Sequence, residues 1–346
     1  MRKGYLFLIT MVFMTITETL HAQDFDNVIT YMDYIGKQHQ TIAKRFLTYN
    51  SAASHGKRAK KVENLRNKVL NEIDESRMNI SGMPSFKGDK EYRDSAVSFM
   101  KLYYNVMNGD FSKIVDMEEI SEQSYDMMEA YLLAKEMANK KLDDASEALH
   151  LAEKRFALAH NVNLIDGKDE IGKLMEEVSE VNHYYNPIYL IFFKSYKQEA
   201  YLMDAIEKKN INGIEQSKNT LLKNAEEGLA KLDTMKGFKG GDRSLIISCK
   251  KVLEFYIKEV KEKIPVIADF FLKNEAFEKM KIEYGKKSQP TQADVDLYNK
   301  GVKETNNAVN AYNEANNFLN NYRKDLVNNW NQTVDAYFDN HMPSYK

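Results

Sequence analysis

The 346-residue chain carries 49 basic and 51 acidic side chains, a formal net charge of −2. That balance removes the electrostatic case for nucleic acid, whose binders present a basic face. One cysteine, Cys249, excludes an intramolecular disulfide framework, and seven scattered histidines do not make a metal-rich tract.

Only five prolines and 15 glycines interrupt the chain, against average usage of roughly 5% and 7%, so the composition is that of a mostly helical protein.

At the N-terminus, Arg2 and Lys3 precede a largely apolar run from Gly4 to Ile16, and a polar stretch leads to Leu20-His21-Ala22. This is the order of an export signal peptide, residues 1–22, with small Ala22 at the cleavage position. The apolar run is shorter than the roughly 20 residues that span a membrane; an uncleaved signal anchor is the rival reading. No cysteine near Ala22 can carry a lipid. The expected product is an unlipidated exported protein, at the cell surface, in the periplasm or secreted.

From Val28 onward the apolar positions Val28, Met32, Ile35, His39, Ile42, Phe46 and Tyr49 alternate gaps of four and three, one stripe of a helix. Val62, Leu65, Val69 and Ile73 mark a second helix, and Tyr92, Ala96, Phe99 and Tyr103 a third. A fourth is expected from about Met117 to residue 163, opened by an Asp116/Glu119 capping box. Its stripe is Leu142, Ala145, Leu149, Ala152, Phe156 and Ala159. Asp166-Gly167 breaks the pattern, which restarts with Ile171, Leu174, Val178, Val181, Tyr185, Ile188 and Phe192. A last long helix follows Gln289-Pro290, with Thr291 as N-cap and Tyr298, Val302, Leu319, Trp330 and Tyr337 along it. Pro187 and Pro265 fall inside helical pattern and predict a kink or restart at each.

The second series repeats the first. An offset of 153 carries Val28 to Val181, Ile35 to Ile188, Asp89 to Asp242, Ala96 to Cys249 and Tyr103 to Tyr256. Between the second and third helices stand GMPSFKGD at 82–89 and TMKGFKGGD at 234–242. The expected fold is all-α: two related long up-down helical bundles from an internal duplication, residues 25–166 and 169–342, preceded by the signal peptide.

In the repeated loops, Gly82 and Gly237 suit helix C-caps, and Asp89 and Asp242 suit N-caps. The aromatic rings plug their own bundle ends, or else Phe86, Lys87, Phe238 and Lys239 form an aromatic–basic tip that meets a partner. An anion nest at 238–241 is a further alternative. A phosphate loop would end in Gly-Lys-Ser/Thr between strand and helix, and neither feature occurs.

Glu147/His150 and Glu180/His183 both have the Glu-x-x-His spacing of di-iron bundles. The stripes, however, turn all four outward, so no metal ligand is assigned. Cys249 and His39 lie on core stripes, the thiol as a small filler and the imidazole as a hydrogen-bonded interior group. Ile188–Phe193 reads IYLIFF, apolar on every face, as a helix does that is buried between layers or meets a membrane or partner.

These residues assign no catalytic group and no cofactor. The expected function is a non-enzymatic binding or structural module with an envelope or extracellular protein partner. A pore-forming protein is the alternative, suggested by IYLIFF and Pro265–Leu272, and a metal-dependent enzyme using Glu147 or His183 is the third. Membrane contact is not favoured, because neither apolar run reaches spanning length. With its signal segment, absence of a lipid-bearing cysteine and paired MPSFKGD and MKGFKGG units, the mature chain resembles a family of uncharacterised bacterial surface proteins known mainly from leptospires and Bacteroidetes-type bacteria. The resemblance implies export and a helical fold; it implies no reaction and brings no site residues.

Overall fold

In a computed structural model of the chain, residues 25–54, 59–164 and 170–343 are described. The signal segment 1–22 and the Asp166-Gly167 break lie outside them. The protein is all-α, with no strand among the described residues. The helices are α1 (Val28–Ser54), α2 (Ala59–Ser81), α3 (Glu91–Asn105), α4 (Phe111–Ser121), α5 (Tyr125–Ala159), α6 (Glu170–Glu207), α7 (Ile211–Thr234), α8 (Ser244–Lys258), α9 (Ile264–Gly285) and α10 (Gln292–His341). Single π turns, Val106–Asp110 and Glu259–Lys263, join α3 to α4 and α8 to α9.

The stripes pack as their spacing dictates. Met32, Ile35, Ile42 and Phe46 of α1 are buried against Val69 and Ile73 of α2 and Ala96 and Phe99 of α3. Val181, Ile188 and Phe192 of α6 are buried with Ile214 and Leu221 of α7 and Cys249 and Val252 of α8. α1–α5 pack among themselves, as do α6–α10, while α6 also lies on α1 and α5. One continuous hydrophobic core runs through both groups.

That position explains IYLIFF. On one side Phe192 stacks on Trp330 of α10 at 4.4 Å and Tyr185 meets Phe338 edge-on at 4.8 Å. On the other, Lys194 of α6 lies over the Tyr125 ring of α5. A helix with neighbours on both sides needs apolar residues on both. None of residues 188–193 is exposed.

Two local expectations are corrected, and two hold. The fourth helix does not open at an Asp116/Glu119 box, because α4 already continues from the first π turn and Asp116 is interior to it. The break comes later: Ser124 has extended backbone and its hydroxyl accepts from Met127 N–H (3.2 Å), starting α5. Pro187 causes no restart; α6 runs unbroken through it. Pro265 does sit at a restart, in the first turn of α9 just after the second π turn. Thr291 caps α10 in a full capping box with Asp294.

The second group carries the longer closing hairpin. α9 has 22 residues against 11 in α4, and α10 has 50 against 35 in α5. Its seam is aromatic, with Phe270 on Tyr312 at 4.6 Å and Tyr284 on Tyr298 at 4.6 Å. Gly301 permits the close approach there, since a Cβ would fall 2.9 Å from Met280 Sδ.

Candidate functional site

Each bundle end is closed by a plug built from the repeated loop. In the first, Phe86 N–H donates to Asp89 O (3.0 Å) and Asp89 N–H donates to Phe86 O (2.9 Å). Between them Lys87 (φ 49°) and Gly88 (φ 91°) both have positive φ, as a type I′ two-residue turn requires. In the second, Lys239 (φ 39°) and Gly240 (φ 88°) repeat the turn. The extra Gly241 is taken up in a wider loop in which Phe238 N–H donates to Asp242 O (2.8 Å). Left-handed backbone therefore falls on Lys-Gly inside the turn. Neither Gly82 nor Gly237 has it; Gly82 does follow α2 directly, its N–H closing on Met78 O (3.0 Å), but Gly237 lies two residues past Met235, the C-cap of α7.

The two aspartates act one residue before the helix boundary, with Lys90 and Arg243 at the boundary itself. Asp89 Oδ1 accepts from Glu91 N–H and Asp242 Oδ1 from Ser244 N–H, both at 2.8 Å. The second carboxylate oxygen reaches across the bundle end. His160 Nε2 lies 3.1 Å from Asp89 Oδ2, and His341 Nε2 lies 2.8 Å from Asp242 Oδ2. Burial raises the Asp242 carboxyl, but bonds from Ser244 and His341 outweigh it and hold the group below the usual carboxylate value.

Beneath each loop sits its phenyl ring. Phe86 contacts Tyr31, Phe156 and His160, while Phe238 contacts Tyr184, Tyr337 and His341, all with ring centroids within 5.6 Å. Exposure is 3% for Phe86 and 6% for Phe238. The rings are plugs, and an exposed aromatic anchor is not what either end presents. Lys87 and Lys239 stay outside, folded over those rings at 5.3 and 5.6 Å. Lys239 also pairs with Glu180 at 3.1 Å.

Beside the second plug opens a shallow cleft of about 370 Å³, lined by Asp242, Ser244, Gln332, Thr333, Tyr337 and Asn340. Four of these lie on α10: Gln332 and Asn340 bring exposed amides, while the Thr333 and Tyr337 hydroxyls donate to Asn329 O and Val181 O. The cleft is thus a concavity of mixed polar and apolar surface whose floor is held by the plug.

Other sequence candidates are not drawn together. Glu147, His150, Glu180 and His183 are all exposed, on the outward faces their register gave. Among the described residues no group of three or more His, Cys, Asp or Glu could hold a metal ion. Cys249 is fully buried, and burial pushes its thiol far up, away from thiolate chemistry. His39 packs edge-on to Phe99 at 5.1 Å. No helix among the described residues is long and apolar enough to cross a membrane.

Sequence reasoning missed a second constellation. Glu199 of α6, Glu259 of the second π turn and Arg323 of α10 meet inside the second group, with the carboxylates 4% and 0% exposed. Arg323 Nη2 donates to Glu259 Oε1 (2.8 Å), and its Nε pairs with Glu199. Tyr256 OH and Glu259 Oε2 have no hydrogen-bond partner there. At the offset of 153 the first group has buried Phe46 and Val106, and it has buried Leu142 18 residues before His160, as Arg323 stands 18 before His341. Charged residues where the matching stripe of the first group is apolar were the available signal.

No protein-family model, no curated protein and no solved structure matches the chain.

Proposed function

We propose that the chain is a non-enzymatic binding module of the cell envelope, exported through its N-terminal signal segment, and that the cleft beside the second plug is its contact surface. The observation that carries this reading is the cleft itself: the exposed Gln332 and Asn340 amides stand on an open concavity braced by the Asp242–His341 tie. Loops and helix ends on a rigid scaffold are the usual place for recognition. The open walls, where the Gln332 and Asn340 amides stand beside apolar surface, suit an extended segment of an envelope or extracellular protein that bonds those amides through its backbone. The matched plugs support an origin by duplication, after which the second end gained a longer closing hairpin. Kinship with exported bacterial surface proteins belongs to the same proposal.

A photo-crosslinking residue at Asn340, introduced in producing cells, tests the reading against the same residue at the exposed Ala159 end of the first group. Discrete protein adducts from position 340 alone support it. Equal labelling at both positions, or none at 340, removes the cleft. Mass spectrometry of the mature N-terminus tests export: a start just after Ala22 is expected, and an intact Met1 in membranes would mean an anchor.

A further inference from the structure

Burying two carboxyls and one guanidinium is costly unless their charges balance. Arg323 can neutralise only one of the pair. Burial, and then the neighbouring Glu199 charge, push Glu259 up to about 8, while burial also raises Glu199 against the opposing pull of Arg323. The other groups facing the cluster do not supply the missing positive charge. Tyr196 comes from α6 and Tyr256 from α8; a phenol carries no positive charge, and burial pushes the Tyr256 phenol well above its usual value. From the π turn, Lys261 points outward to Glu226 of α7 (3.0 Å), and Lys263 lies over the Phe318 ring (4.8 Å). α9 begins with Ile264, Pro265, Val266 and Ile267. Balance inside the layer therefore comes from a proton.

We propose that Glu199, Glu259 and Arg323 form a proton-binding latch, in which one proton held on the carboxyl pair keeps the middle of α10 docked on α6 and the second π turn. Three observations place it there. The groups come from three separate segments, so the latch spans the joint between α10 and the rest of the group. Glu259 lies in a π turn, a widened helix turn often found at functional positions. The matching layer of the first group, Phe46, Val106 and Leu142, is apolar, so the scaffold itself does not require charge.

The consequence follows from linkage. The folded latch holds a proton that an opened α10 releases, because the ordinary glutamate value is 4.5. Its stabilisation is full below that value and is lost as pH rises through the folded one. Between about pH 5 and 8, local opening of α10 rises by up to about tenfold per pH unit. Gln332, Thr333, Tyr337 and Asn340 ride on the same helix, so opening disturbs the cleft; the latch itself stands whether or not the cleft binds a partner.

Amide hydrogen exchange of the mature chain from pH 5 to 9, corrected for intrinsic rates, reads the opening of α10 around Arg323 and of α5 around Leu142. The expected result is a steep rise in α10 alone. Glu259→Gln, which mimics the protonated acid, should flatten it. The combined Glu199→Phe, Glu259→Val and Arg323→Leu variant, carrying the first group's residues, should fold and also show no slope. Equal pH dependence in α5 and α10, or an unchanged slope in both variants, would overturn the latch. Should Glu259→Gln fail to fold, the comparison of α10 with α5 and the apolar variant decides.

Discussion

Asp89 and Asp242 each satisfy two partners with one side chain: a first-turn amide through one oxygen and a histidine of the closing helix through the other. Losing a cap of this kind costs about 1–2 kcal/mol. We expect Asp89→Ala and Asp242→Ala each to fall by that amount in urea denaturation, with the histidine tie adding to it. The Asp242 carboxyl, held below its ordinary 3.8, contributes stability above that value that is lost as pH falls through the lowered one. Wild type should therefore lose stability below about pH 4 more steeply than Asp242→Ala. Two glycines make a contrasting pair. A Cβ at either Gly88 or Gly36 meets nothing within 4 Å, yet only Gly88 has positive φ, +91°. Gly88→Ala should then destabilise by about 1 kcal/mol, and Gly36→Ala, inside α1, should stabilise by about 0.5–1 kcal/mol. Melting curves of the two variants should move in opposite directions.

Among the elements, the helices whose stripes run uninterrupted were legible in the sequence, because an inward face at gaps of three and four can only be helical. Thr291 and Pro265 were legible too, since each acts through chemistry local to a few residues. What escaped depended on partners far along the chain. The break at Glu122–Ser124 is invisible to a stripe that continues on both sides of it, and only the hydroxyl of Ser124 marks it. Pro187 remains inside α6 because packing against helices of both groups offsets the backbone bond that proline removes. The loop sequence announced two related ends. It could not say that Phe86 and Phe238 face inward, because that depends on His160 and His341 arriving from remote helices. The charged layer was hidden by the same distance: Glu199, Glu259 and Arg323 come together only in three dimensions. Trp330 of α10 is the residue that locks α10 to the aromatic face of α6, being 1% exposed and stacked on Phe192. Trp330→Ala should cost about 3–5 kcal/mol in denaturant titration, well above any single surface ion pair, each worth about 0–1 kcal/mol.

For the whole molecule, the two groups of helices share one hydrophobic core through α6. Calorimetry of the chain should accordingly give a single unfolding transition, and two well-separated transitions would show the groups to be energetically independent. α6 also sets an order in time. Its face toward α1 and α5 finds those helices already synthesised, but Phe192 waits for Trp330, about 140 residues later, which at roughly 5–20 residues per second is on the order of ten seconds. During that interval Tyr185, Phe192 and their neighbours form a naked aromatic ridge on a nascent chain. The ridge is covered only once the chain's own last helix is complete, so a chain released short of Trp330 is left with it bare.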